Sequence, residues 1–438
     1  MQGSVWGGLM CTTSMDKLGK VVYENEELIY RYKGEVAVPS LCMVDDVLAV
    51  QKCSKSALQI NSTVNSFMEL KKLTLSDKKC SKIHIGRSKL KCHQLKVHEK
   101  QMKNSDQEKY LGDQICKDAK VKATIEDRVK KGYGIVSEIN AILDEIPLGK
   151  YRVEMGLKLR QAMLVNGILF NSEAWQGIDK DDIKHLEKID ELLLRSLMGS
   201  HKKTPLEFLY LETGSLPINF IISIRRITYL KTLLMRNNEE LTKRILSKQF
   251  DNPTPGDFVE LVKDDFTKIG KLYDKTMEDF IMQTNEKAFK PFIKNLVKNA
   301  AFEALIKIQQ KHTKVNHLRY DEFKCQEYLT SGIFSNEEIS ILSSLRSHTL
   351  RSIKSNFRHF YQGNTNCPLL CTPDGIIPHE DTQKHLIMCN KILEKISLKE
   401  TTIASHTVNY EDIYSDNIYK QKAIISLVSK CIQIRNSE

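Results

Sequence analysis

Two constellations in this sequence have residue types and spacings suited to chemistry. Met43-Val44-Asp45-Asp46-Val47-Leu48 sets adjacent carboxylates between two apolar half-strands. In a tight hairpin the flanks anchor in a core and the acids stand at the turn. Hard divalent cations take such oxygen ligands, and Mg²⁺ held by one or two carboxylates plus substrate phosphates is the usual arrangement for nucleotidyl transfer. Asp-Asp in a turn is also common on surfaces, so the dipeptide alone does not define a site. Asp45 is the stronger candidate ligand.

The second constellation is Cys367-x₃-Cys371 and His385-x₃-Cys389, with 13 residues (372–384) between the pairs. Three thiolates and one imidazole make a closed tetrahedral set, which suits structural Zn²⁺ and leaves no open position for catalysis. Asp381-Thr382 offers an N-cap, after which His385 and Cys389 share one helix face at i and i+4. Cys367 and Cys371 come from a loop held by Pro368. His379 is a competing ligand, and buried free cysteines beside an exposed histidine are the bland alternative. A segment this short and poor in large apolar residues cannot build a sufficient core, so a metal would supply much of its folding free energy.

These residues need elements to position them. Up to about residue 115 the pattern is short strands and one helix. Leu28-Ile29-Tyr30, Leu41-Cys42-Met43-Val44, Leu73-Thr74-Leu75 and Ile83-His84-Ile85 read as strands. Ala57, Ile60, Val64, Phe67 and Met68 recur at helical spacing behind Ser54 as N-cap. From about 119 the period is helical: Ile183, Leu186, Ile189, Leu193 and Leu197 mark one helix, and Ile222, Ile227, Leu230 and Leu234 another. Pro205, Pro217 and the pair Pro253/Pro255 punctuate this half. The segment after Leu393 reads as a short polar tail, partly disordered.

At 438 residues the chain has room for two or three domains. With 41% hydrophobic and 28% charged residues it falls in the ordinary globular class. Its 66 Lys+Arg against 55 Asp+Glu leave +11, which favours polyanionic partners because cations on a protein release counterions condensed on phosphates. Much of the excess lies in Lys71–Lys109, where a solvated face and phosphate contacts are both open readings. No stretch approaches about 18 consecutive apolar residues, so no membrane partner is expected. Met1 to Met15 lacks a basic start and a continuous apolar run, so no secretory leader is expected. The 11 cysteines then belong in a reducing compartment, where clusters more often bind metal than pair.

Four amino-terminal segments, taken in order, resemble the motifs of a non-LTR retrotransposon reverse transcriptase. Gln2-Gly3-Ser4-Val5 resembles the motif that contacts template and nucleotide. Val44-Asp45-Asp46 is similar to the catalytic motif. Leu75-Ser76-Asp77-Lys78-Lys79-Cys80 with Ile83-His84-Ile85-Gly86 is similar to the next palm motif, and Tyr110-Leu111-Gly112 to the motif leading into the primer grip. Further on, Phe170-Asn171-Ser172-Glu173-Ala174-Trp175 resembles the thumb signature, with Phe-Asn in place of Tyr-Gly. Leu209-Tyr210-Leu211-Glu212-Thr213-Gly214, Pro217-Ile218 and Arg225-Arg226 also recur in these proteins, and the cysteine–histidine cluster resembles their CCHC knuckle.

The resemblance implies an α+β chain: partial palm over 1–115, thumb over 116–212, helical connector over 213–350, zinc knuckle region over 351–395 and tail over 396–438. It implies RNA-directed DNA polymerisation, with Asp45 and Asp46 as catalytic Mg²⁺ (or Mn²⁺) ligands. Gln2, Gly3, Lys79, Tyr110 and Gly112 would contact nucleic acid, Lys79 standing where some polymerases place a general acid for pyrophosphate. Cys367, Cys371, His385 and Cys389 would hold Zn²⁺. The partners would be an RNA template, a DNA primer or target and deoxynucleoside triphosphates, and the location the nucleus, with a cytoplasmic ribonucleoprotein stage open. Trp175 is expected in a core.

Gly7-Gly8 stands where most of the family has Ser-Pro, and the family's first catalytic aspartate would lie before Met1. Asp45 and Asp46 alone are an incomplete ligand set for two metals, so the chain reads as a fragment that does not polymerise alone. The rival is a non-catalytic, zinc-containing nucleic-acid-binding remnant. Pro373-Asp374 lies inside the knuckle loop and residues 400–438 are too few for a nuclease fold, so these residues carry no endonuclease assignment and the presence of that activity stays open. Arg351, Lys354 and Arg358 are candidate phosphate contacts beside the knuckle.

Overall fold

The computed structural model describes residues 5–38, 40–43, 46–86, 95–145, 151–350, 353, 366–369, 371, 380–399 and 409–436. Gln2, Gly3, Asp45, the Pro373-Asp374 pair, His379, Arg351, Lys354 and Arg358 lie outside them. The expected α+β mixture is observed as a mainly helical chain with short strands in two-stranded sheets.

Two helices, α1 (Val5–Tyr23) and α2 (Ser54–Leu70), close over a small core that includes Leu18, Val22, Ile60 and Phe67. Between them run two antiparallel hairpins, β1 (Tyr30–Tyr32) with β2 (Val36–Val38), and β3 (Leu41–Met43) with β4 (Asp46–Leu48). Six more strands follow: β5 (Ser81–Lys82), β6 (Lys96–Val97), β7 (Lys100–Gln101), β8 (Lys103–Asn104), β9 (Gln107–Tyr110) and β10 (Asp113–Cys116). β6–β7 and β9–β10 are hairpins, and β5 pairs with β8 in parallel.

Several local expectations are corrected here. Ser54 is the first residue of α2 rather than its cap; Cys53 takes that position without a side-chain bond. Leu73-Thr74-Leu75 forms no strand, because the chain leaves α2 through Lys72 at φ +53° and Leu73 and Thr74 stay exposed. At Ile83-His84-Ile85 the pairing stops one residue short, at Lys82.

The chain then turns helical. α3 (Lys122–Asp144), α4 (Arg152–Leu159), a π-helical turn (Arg160–Val165), α5 (Asn166–Ile168) and α6 (Lys180–Met198) enclose a core of Ile125, Ile139, Leu164, Ile168, Leu186, Ile189, Leu193 and Trp175. The Asp179 side chain caps α6 in a full capping box and Gly199 ends it at φ +58°, a left-handed residue that suits glycine. α7 (Leu206–Thr213) and α8 (Ile218–Leu234) follow Pro205 and Pro217, as the punctuation predicts. α9 (Leu241–Asp251), α10 (Phe258–Lys268), α11 (Lys275–Gln283) and α12 (Glu286–Gln309) pack on α8 around Ile227, Phe266, Phe289 and Ile293.

The final elements are α13 (Glu327–Thr330), α14 (Asn336–Arg346), α15 (Gln383–Met388), α16 (Asn390–Lys399), a 3₁₀ turn (Tyr410–Tyr414) and α17 (Ile418–Asn436). Here the structure departs from the polar tail expected after Leu393. Ile424, Ile425, Val428 and Cys431 of α17 are buried in one core with Phe208, Leu342, Leu386 and Cys389. Apolar residues on one stripe of an otherwise polar helix suffice to seat it. Residues 380–399 and 409–436 therefore share the core of the helical body with α7 and α14.

Candidate metal centre

The Cys–His cluster is assembled from a loop and a short helix. Thr382 accepts from the His385 backbone N–H at 3.0 Å and so caps α15. His385 lies in the first turn of that helix and Cys389 takes its C-cap, in extended conformation. Cys367 and Cys371 approach from the preceding loop. The ligand atoms of Cys367, Cys371, His385 and Cys389 all lie within 4.8 Å of one another. Cys371 Sγ is 2.9 Å from His385 Nε2 and 3.7 Å from Cys389 Sγ.

The donor set fits zinc. A tetrahedral Zn²⁺ with sulfur at about 2.3 Å spaces its sulfurs about 3.7 Å apart, which matches the Cys371–Cys389 separation. All three cysteines are buried and His385 is half-buried. Burial, then the neighbouring Cys367 and Cys389, push the Cys371 thiol up to about 12, and burial raises Cys389 as well. Burial disfavours the thiolate at Cys371 and Cys389, and a shared cation would supply the missing stabilisation. With four protein ligands the ion would be structural, keeping no water to activate.

The cluster is fixed to the body on several sides. Asp381 and Arg435 form a buried two-pronged ion pair at 2.8 and 2.7 Å, tying the start of α15 to α17. Gln383 donates to the Leu345 carbonyl at 3.0 Å and to the Tyr410 hydroxyl at 2.8 Å. Lys391 donates to the Leu369 carbonyl at 2.7 Å, closing the loop that carries the first two cysteines. Sequence spacing gives no sign of Asp381–Arg435, because the partners lie 54 residues apart.

The acidic hairpin is less complete. β3 and β4 pair Leu41 with Leu48, Cys42 with Val47 and Met43 with Asp46, which puts Asp46 in the strand rather than at the turn. Asp46 is exposed on β4, and its partner Asp45 lies outside the described residues. Among the described residues the Cys–His cluster is the sole gathering of three or more potential metal ligands. Nothing therefore supports a Mg²⁺ site at Asp46. Lys79 is exposed in a turn, while several of its basic neighbours are paired, Lys100 with Asp77 at 2.6 Å and Lys117 with Asp106 at 2.7 Å.

Tyr110 and Gly112 lie at the β9–β10 turn, Gly112 at φ +93°. Burial first, and then the Asp46 carboxylate, raise the Tyr110 phenol, so this hairpin and the acidic one are neighbours across 64 residues of sequence (110 − 46). Arg128 of α3 donates to the Gly112 carbonyl at 2.9 Å and to Asp113 at 3.0 Å, while Asn171 donates to the other Asp113 oxygen at 2.9 Å. The Phe170 ring covers the Arg128 guanidinium at 5.3 Å. Phe170-Asn171, the departure from the Tyr-Gly pattern, thus seats the hairpin on the helical unit.

The Leu209–Gly214 segment also has a structural account that spacing did not reveal. Tyr210 donates to Asp190 at 3.1 Å, and Asp190 in turn accepts two bonds of 2.6 Å from the buried Arg160. Glu212 accepts from Arg346 and from the Tyr320 hydroxyl, at 2.9 and 2.6 Å. Gly214 sits at φ +61°, where an added Cβ would lie 2.5 Å from the Cys325 nitrogen. Trp175 is buried, as expected of a core aromatic. No helix of the described residues is long and apolar enough to cross a membrane.

Comparison with protein-family profiles, with curated proteins and with solved structures finds no match to this chain.

Proposed function

We propose that the chain is a carboxy-terminal part of a non-LTR retrotransposon reverse transcriptase that binds nucleic acid around a zinc-stabilised helical body. The observation that carries this reading is the gathering of Cys367, Cys371, His385 and Cys389, which resemble a CCHC knuckle in sequence, within 4.8 Å of one another. The Tyr110–Gly112 hairpin, which resembles the motif leading into the primer grip, is latched through Gly112 and Asp113 to the helices that carry the thumb-like signature. The parent activity is RNA-directed DNA polymerisation on an RNA template and DNA primer, with deoxynucleoside triphosphates as substrates, in the nucleus. In that reaction Asp45 and Asp46 hold Mg²⁺ or Mn²⁺, Gln2 and Gly3 contact template and nucleotide, and Lys79 lies near the leaving pyrophosphate.

Two-metal transfer needs carboxylates clamping both ions, and among the described residues no further ligands gather beside Asp46. The second reading, a zinc-containing nucleic-acid-binding remnant, is favoured by the exposure of Asp46. Primer extension on an RNA template with Mg²⁺ or Mn²⁺, alongside binding of the same primer–template, tests both. Binding without extension is expected of the chain alone. Robust synthesis abolished by Asp45→Ala would overturn the incomplete-site reading, and absence of binding at about 50 mM salt would overturn nucleic-acid binding altogether.

A further inference from the structure

The last helix, α17, is anchored to the rest of the chain by a cation at each end. Arg435, in its last turn, meets Asp381 through two bonds of 2.8 and 2.7 Å, with side chains 8% and 1% exposed. Near its start, Lys422 reaches Glu338 of α14 at 2.7 Å and donates to the Ile333 carbonyl at 3.1 Å. Of the two anchors, the Arg435 one falls beside the segments that carry the Cys–His cluster.

Asp381 occupies the point where the two ligand-bearing arms come together. Glu380, the residue before it, forms an antiparallel bridge with Asn366, the residue before Cys367. Thr382, the residue after it, donates its backbone N–H to the Glu380 carbonyl at 2.9 Å, and its hydroxyl accepts from the His385 backbone N–H at 3.0 Å. A carboxylate fixed between these contacts therefore steadies both arms. On one side is the base of the loop that delivers Cys367 and Cys371, on the other the first turn of the helix that delivers His385. The buried side of α17 adds to this support, since Ile425, Val428 and Cys431 share a core with Leu386 and Cys389.

Neither Asp381 nor Arg435 belongs to the ligand group itself. Metal affinity nonetheless depends on how well the empty ligands already hold their bound geometry. Ligands left mobile must be ordered at the moment of binding, which costs conformational entropy. Outer groups that orient the ligands change affinity by about 10- to 100-fold. Arginine suits this role because its planar fork fixes both carboxylate oxygens at once, whereas a lysine supplies the charge without that geometry.

We infer that Arg435, acting through Asp381, is a positioning residue for the Cys–His metal centre, so that docking of α17 and occupancy of the site are coupled. The inference rests on the zinc reading of the cluster and adds that a residue 46 positions beyond the last ligand (435 − 389) completes the site. The coupling is reciprocal: a docked α17 strengthens binding of the ion by the same factor as the bound ion strengthens docking of α17.

The test uses the full chain, with Zn²⁺ affinity measured by competition against a chelator and Co²⁺ as a spectroscopic probe of a tetrahedral, sulfur-rich shell. R435Q, R435K and K422Q are compared with wild type, K422Q releasing the other anchor of the same helix. R435Q is expected to bind Zn²⁺ about 10- to 100-fold more weakly and to give a Co²⁺ spectrum of reduced tetrahedral intensity. R435K falls between R435Q and wild type. K422Q keeps an affinity close to wild type although it lowers the thermal midpoint of the metal-free chain. Wild-type affinity in R435Q, or equal losses in R435Q and K422Q, overturns the proposal while leaving the metal site intact. Should R435Q fail to fold, amide exchange on wild type decides. Adding Zn²⁺ is then expected to slow exchange across residues 418–436 relative to α10, and unchanged exchange in α17 overturns the coupling. A wild-type chain that binds neither ion removes the zinc reading, and this inference with it.

Discussion

Arg128 and Asp113 join the β9–β10 hairpin to the helical body by a 3.0 Å ion pair in which the arginine is buried. The same guanidinium nitrogen reaches the Gly112 carbonyl, so one side chain fixes both the turn and the strand that follows. The hairpin buries little apolar surface of its own, which makes its position depend on this latch.

Arg128→Met is therefore expected to release the hairpin, with amide exchange across residues 107–116 accelerating well beyond that of α3. Arg128→Lys keeps the charge but loses the planar fork and should show most of the same effect. Unchanged exchange in both variants would mean that the hairpin is held elsewhere.

Glu212 and Arg346 are both buried and meet across 134 residues of sequence. Removing one member strands the other's charge, so Glu212→Ala should lower unfolding stability by about 3–5 kcal/mol. Replacing both by apolar residues of similar size, as in E212L/R346M, should cost clearly less than the sum of the single changes. Chemical denaturation of the four proteins checks this; strict additivity would show that the pair does not interact energetically.

His317 gives stability a dependence on acid. Its folded pKa of about 4 lies below the ordinary value of 6.5, with burial the largest cause. As pH falls below about 6.5 the unfolded chain takes up a proton that the folded chain refuses. Stability is thus complete above that pH and declines toward pH 4. The lowered His348 acts in the same direction. Denaturation midpoints measured between pH 7 and 5 should fall more steeply for wild type than for His317→Gln; parallel curves would remove this role.

What the sequence revealed follows from the range of the interactions concerned. The Cys–His cluster was legible because its four residues fall in two close pairs along the sequence, and chemistry restricts which residues can share an ion. The α6 and α8 stripes were readable because a buried helix face repeats every three to four residues. Strands of two to four residues carry too little period to locate, as Leu73–Leu75 and Ile83–Ile85 illustrate. α17 was hidden because Lys, Gln and Ser interrupt its apolar stripe, and only its packing against α15 and α16 shows which side is covered. Arg160–Asp190, Glu212–Arg346 and Asp381–Arg435 were beyond reach, since a lone charged residue carries no sign of its distant partner.

The four-ligand centre is the central claim, and its own chemistry gives it a pH signature. Zinc binding requires deprotonated thiols, so binding releases protons and affinity falls as pH falls. Zinc-edge X-ray absorption on the purified full chain, paired with metal quantitation, tests it most directly. One zinc per chain is expected, with three sulfurs at about 2.3 Å and one nitrogen at about 2.0–2.1 Å, and Cys371→Ser should reduce both the zinc content and the thermal midpoint. A shell of oxygen and nitrogen without sulfur, or a chain that folds with the same midpoint after complete removal of zinc, would contradict the account.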